Sequence, residues 1–104
     1  MAISINAFID RDSTEVIAFN DDAGQPFDFD TAGASKIEGV AGGRSVECTW
    51  SGDKVSVNYG ALLLQPGIYM AQIVLFSADY PKGKVIAGPG LPVEIELTLH
   101  RSAS

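Results

Sequence analysis

Along most of this chain, hydrophobic and polar positions alternate with period two, the signature of half-buried β-strands. Residues 54–59, Lys-Val-Ser-Val-Asn-Tyr, alternate strictly. Residues 93–99 do the same and place Val93, Ile95, Leu97 and Leu99 on one face. Further strands are expected at 3–5, 14–19, 45–50, 68–76 and 84–87. Turn-forming residues separate them: Asp10-Arg11-Asp12-Ser13, the hairpin connection Ser51-Gly52-Asp53, the segment 79–83 and the Gly88-Pro89-Gly90 kink. No segment sustains a helical period. A short helix or turn is expected at most around 31–38, where Gly33 weakens a helix. The glycine-rich stretch 39–43 reads as a flexible loop. Seven or eight short strands with turns between them predict an all-β chain folded as one antiparallel β-sandwich.

The segment 68–76 departs from the alternation. Tyr69, Ala71, Ile73 and Leu75 form one face, and Ile68, Met70, Gln72, Val74 and Phe76 the other. The second is also mostly apolar, whereas a strand with one solvated face alternates cleanly. Two coverings fit the second face: loops of the same chain, or another subunit. On the latter, Ile68, Met70, Val74 and Phe76 are the candidate contact residues.

A length of 104 residues fits one domain, expected over 1–100 with a frayed polar tail at 101–104. The net charge of −6 argues against nucleic acid and against an anionic membrane surface as partners. A single cysteine, Cys48, makes no internal disulfide. The start shows no signal-peptide pattern, and the longest nearly apolar run, 68–76, falls far short of the ~20 residues of a membrane span. Synthesis in a cytoplasm is the expectation.

Candidate chemistry is sparse. The one histidine, His100, ends the last strand, and Cys48 lies in an apolar strand with Trp50, reading as an inert buried thiol. No nucleophile elbow, phosphate loop or dinucleotide fingerprint is present, so no catalytic residue or cofactor is expected. Asp10, Asp12, Asp21, Asp22, Asp28 and Asp30 gather in turns but lack calcium-loop spacing, and no metal site is assigned to them. Of the aromatics that could stack on a sugar (Trp50, Tyr59, Tyr69 and Tyr80), Tyr80 alone reads as exposed.

The segment Leu64-Gln65-Pro66-Gly67-Ile68-Tyr69-Met70-Ala71 resembles the corner leading into strand F of immunoglobulin-like and fibronectin type III sandwiches. The resemblance implies that Tyr69 is a structural tyrosine whose hydroxyl bonds back across the corner. A longer set of pieces is similar to small proteins of phage head and tail gene clusters and to the N-terminal domain of phage baseplate upper proteins. These pieces are 24–29, 34–38, the Trp50-Ser51-Gly52 hairpin, Val55, Val57 and Gly60, the 64–71 corner, and Tyr80-Pro81 with Gly83 and Val85. The resemblance implies a non-enzymatic virion protein made in a host bacterial cytoplasm. It would be an immunoglobulin-like accessory or adaptor docking on other head or tail components: at tail, baseplate or fibre, or as capsid decoration. A homo-oligomer is compatible with it. The receptor-binding and coiled segments of baseplate upper proteins are missing, which favours an adaptor over a host-binding part. The alternative expectation is an immunoglobulin-like module binding a surface glycan or protein through its loops.

Overall fold

A computed structural model describes residues 2–21 and 23–101. The tail expected to fray therefore lies, from 102 on, outside the described residues, as does Asp22. The described residues form eight strands and no α-helix: β1 (Ala2–Phe8), β2 (Thr14–Ala18), β3 (Lys36–Ala41), β4 (Arg44–Ser51), β5 (Lys54–Asn58), β6 (Gly67–Phe76), β7 (Lys84–Ala87) and β8 (Glu94–His100). A single 3-10 turn, Tyr59–Leu62, follows β5, so Tyr59 leaves the strand that its alternation suggested.

The strands pair in the order β1-β8-β6-β3-β4-β5-β2, with β7 beside β6. The sheet bends because two long strands change partners along their length. β4 pairs with β3 through 44–48 and with β5 through 49–51. β6 pairs with β8 through 67–71 and with β3 through 72–76. The result is a nearly barrel-like sheet with ends at β1 and β2. The short connection between these two strands is tied down: Ile9 N–H donates to the His100 carbonyl at 3.0 Å and Asp10 N–H to that of Gly60 at 3.0 Å. The Asn58 side-chain oxygen accepts from Ser13 N–H and Gly60 N–H, both at 3.1 Å.

The alternating residues meet inside this curve. Val55 and Val57 of β5, Ile95, Leu97 and Leu99 of β8, and Ala71, Ile73 and Leu75 of β6 are all buried. Phe29, off any strand, is fully buried and meets Phe19 edge-on at 5.7 Å. At the core's centre, the buried Tyr59 hydroxyl donates to the Gln72 carbonyl at 3.0 Å.

The structure corrects two expectations. First, the sheet is mixed: β1 runs parallel to β8, from Ala2 opposite Glu94 to Phe8 opposite His100. Local alternation carries no information about which distant strand becomes a neighbour or in which direction. Second, the stretch 39–43 is a turn only at Gly42 and Gly43. Gly39, Val40 and Ala41 belong to β3, between β4 and β6. Gly39 is there for room: a Cβ on it would stand 2.7 Å from Val57 Cγ2 and 3.0 Å from Tyr59 Cε1. Around 31–38 the chain takes the turn alternative: turns run to 33, and β3 begins at Lys36.

No helix among the described residues is long and apolar enough to cross a membrane.

Candidate functional site

The outward face of β6 is built by the pleat: with Tyr69, Ala71, Ile73 and Leu75 turned inward, Ile68, Met70, Gln72, Val74 and Phe76 point out. Ladder register sets their neighbours. Ile68 stands opposite Thr98 and Met70 opposite Glu96 on β8. Val74 lies between Glu38 of β3 and Val85 of β7, and Phe76 is opposite Lys36.

The four candidate contact residues divide into two pairs. Ile68 and Met70 are open, with 69% and 47% of their surfaces exposed. Val74 and Phe76 are half-buried. The turn after β6 folds back on them: a Cβ on Gly83 would lie 2.5 Å from Val74 Cγ1 and 3.0 Å from the Phe76 ring. The Lys36 ammonium also sits 4.5 Å from the Phe76 ring centroid. The chain's own turn thus covers one end of the face and leaves the other end in solvent.

Carboxylates border this face. Glu96 is exposed beside Met70, with Glu94 two residues away on the same side of β8. Glu38 and Glu47 are directly opposed across the β3–β4 ladder, a like-charge pairing that disfavours the fold. The cation given to that pair is Lys36, 3.5 Å from Glu38.

At the corner before β6, the Tyr69 hydroxyl donates to the Gln65 carbonyl at 2.8 Å, closing the Pro66-Gly67 turn. The other aromatics offer little platform. Tyr59 is sealed in the core, Trp50 is half-buried with its indole N–H on Asp30 at 3.0 Å, and the exposed Tyr80 has the Lys84 ammonium over its ring at 5.0 Å.

The structure keeps the candidate reactive groups apart. Cys48 on β4 and His100 on β8 are separated by β3 and β6 and lie toward opposite ends of β6: Cys48 registers through Ile37 with Leu75, whereas Leu99, beside His100, is opposite Gly67. His100 Nε2 instead meets Asn6 Oδ1 at 2.9 Å and its ring lies on Phe8. Burial pushes the Cys48 thiol up to about 12, against a hydrogen bond from the Gly39 backbone that favours the thiolate; Glu38 and Glu47 add to the rise. Two of the turn carboxylates serve the backbone. Asp21 accepts from Ala23 N–H and Gln25 N–H at 2.9 Å each, and Asp28 from Asp30 N–H at 3.0 Å. Among the described residues, no three His, Cys, Asp or Glu side chains gather as metal ligands would.

Sequence reasoning missed a second feature. A cleft of about 320 Å³ opens between the segment after β2 and the β7–β8 side, over Phe19, Phe27, Phe29, Ile86, Leu91 and Val93. The only sequence signal was the spacing of Phe27 and Phe29, and nothing local placed them beside residues sixty positions away. No protein-family model, curated protein or solved structure matches the chain.

Proposed function

We propose that this chain is a non-enzymatic, immunoglobulin-like docking module that binds a larger protein assembly through the outward face of β6. The observation that carries the reading is the open pair Ile68 and Met70 on the solvent side of an interior strand. Large apolar side chains gathered on a sheet face favour burial against a partner. The immunoglobulin-like reading draws support from the pairing order. β2 pairs with β5, β3 with β6, β6 with β7 and β8, and β1 runs parallel to the last strand, with β4 passing from one ladder to the other. The Tyr69–Gln65 bond before β6 fits the same plan.

Charge selects the partner's character. Two copies face to face would oppose Glu94, Glu96, Glu38 and Glu47 to one another, so a different chain with basic residues around an apolar centre is the better complement. The phage-protein resemblance makes head or tail components the first assembly to test. A glycan site in the loops is the weaker reading, because the exposed Tyr80 already holds Lys84 against its ring.

The test is co-expression with the products of the flanking genes. A complex should form with a structural protein of the assembly, and Ile68→Glu and Met70→Glu should each abolish it without lowering the thermal midpoint. A complex indifferent to both changes would overturn the reading. A strictly lone wild-type chain beside every neighbour's product would do the same.

A further inference from the structure

The cleft over Phe19, Phe27 and Phe29 lies where the sheet is incomplete. On one side stands Lys84–Ala87, the strand β7, which pairs with β6 alone. On the other stand Phe19, Asn20 and Asp21, which continue β2, and β2 pairs with β5 alone. The strand that covers the β7–β8 edge further along is β1, and its pairing starts at Ala2 opposite Glu94. Among the described residues, no strand pairs with β7 on the side away from β6. An unpaired edge presents main-chain donors and acceptors to any extended chain laid beside it.

The floor and rim say what such a chain carries. Phe19 and Phe29 are sealed in the core, while Phe27, Ile86, Leu91 and Val93 are half-buried and line the opening. A volume of about 320 Å³ is at the small end for ligand pockets. It suits one or two inserted side chains. The rim charges are not equivalent. Asp21 spends one carboxylate oxygen on two backbone N–H groups. Lys84 has the Tyr80 ring at 5.0 Å and, among the described residues, no carboxylate within ion-pair distance. On the β7 side of the opening, across from Asp21, the charge is therefore positive.

We propose that this cleft takes an extended segment of a partner protein as an added strand on β7. Its backbone pairs with the free edge, a large apolar side chain enters between Phe27, Ile86 and Leu91, and an adjacent Asp or Glu pairs with Lys84. The site is separate from the Ile68–Met70 face and stands or falls independently of it.

The test pans a random heptapeptide display library on the intact folded chain. Enriched peptides should alternate apolar residues and carry an acidic one beside the anchor. A synthetic copy of the most enriched peptide should shift the amide resonances of 84–87. Its affinity should fall at least about tenfold with Lys84→Glu, the loss of a charge-assisted contact, and stay unchanged with Met70→Glu. Re-panning on Lys84→Glu should exchange the acidic residue for a basic one. Leu91→Asp, in a loop outside the ladders, provides a second cleft variant should Lys84→Glu alter folding. No enrichment, enriched peptides that shift resonances elsewhere, or binding indifferent to both cleft variants would overturn the proposal.

Discussion

The phenol of Tyr59 donates to the main-chain carbonyl of Gln72 at 3.0 Å, joining the turn after β5 to the middle of β6 inside the core. That carbonyl lies where β6 exchanges its β8 ladder for its β3 ladder. Burial holds the phenol neutral by raising its proton affinity. Tyr59→Phe keeps the ring and removes only the donor. It is expected to lower unfolding free energy by about 1–3 kcal/mol, read from the chemical-denaturation midpoint. An unchanged midpoint would mean that the bond adds nothing to the junction.

Gly39 and Val57 give the second prediction. In an exposed strand, Gly→Ala stabilises; here a Cβ would stand 2.7 Å from Val57 Cγ2. Gly39→Ala is therefore expected to destabilise by about 1–3 kcal/mol. Val57→Ala removes the obstructing methyl, so the double variant should lose less than the sum of the two single ones. Strict additivity in that cycle would show that crowding by Val57 is not the cause.

The same residues show what was readable in the sequence. Strands whose alternation is uninterrupted, such as β5 and β8, lie close to where their pattern put them. β3 was hidden because its central residue is Gly39, and glycine by itself signals a loop. Its reason for being glycine is a contact with Val57 and Tyr59 on another part of the chain. The outward apolar residues of β6 were legible from the failure of alternation, but their division into an open and a covered half was not. That division comes from Gly83 and Lys36, which reach Val74 and Phe76 only after the chain has folded. The cleft was invisible for a similar reason: it is made by two edges that lack neighbours, and a missing neighbour leaves no mark on local sequence.

Leu63 supplies a stabilising change. It ends the 3-10 turn with φ 57° and ψ 39°, a left-handed conformation, and its side chain is 53% exposed. A Cβ in that region costs about 1–2 kcal/mol, part of which glycine returns through its freer unfolded state. Leu63→Gly should raise unfolding free energy by about 0.5–1 kcal/mol, seen as a higher thermal midpoint. A lower midpoint would mean that the exposed leucine packs on the turn more than its backbone strain costs.

Cys48 predicts how stability responds to alkali. Its thiol ionises near the ordinary 9.0 when the chain is unfolded, but burial holds it to about 12 in the fold. Between these values the unfolded chain has released a proton that the folded chain retains. Folding then binds more protons than unfolding, and stability must fall as pH rises through that window. Below about pH 9 this group contributes no slope. Tyr59, also raised by burial from 10.0, acts in the same direction at higher pH. The denaturation midpoint should therefore be flat in this respect up to about pH 9 and decline above it, and Cys48→Ala should reduce the decline. The thiol should meanwhile react with iodoacetamide at neutral pH only as fast as the chain opens. Rapid labelling of the native chain, or an alkaline slope unaltered by Cys48→Ala, would show that the thiol is not sealed between Gly39 and the core.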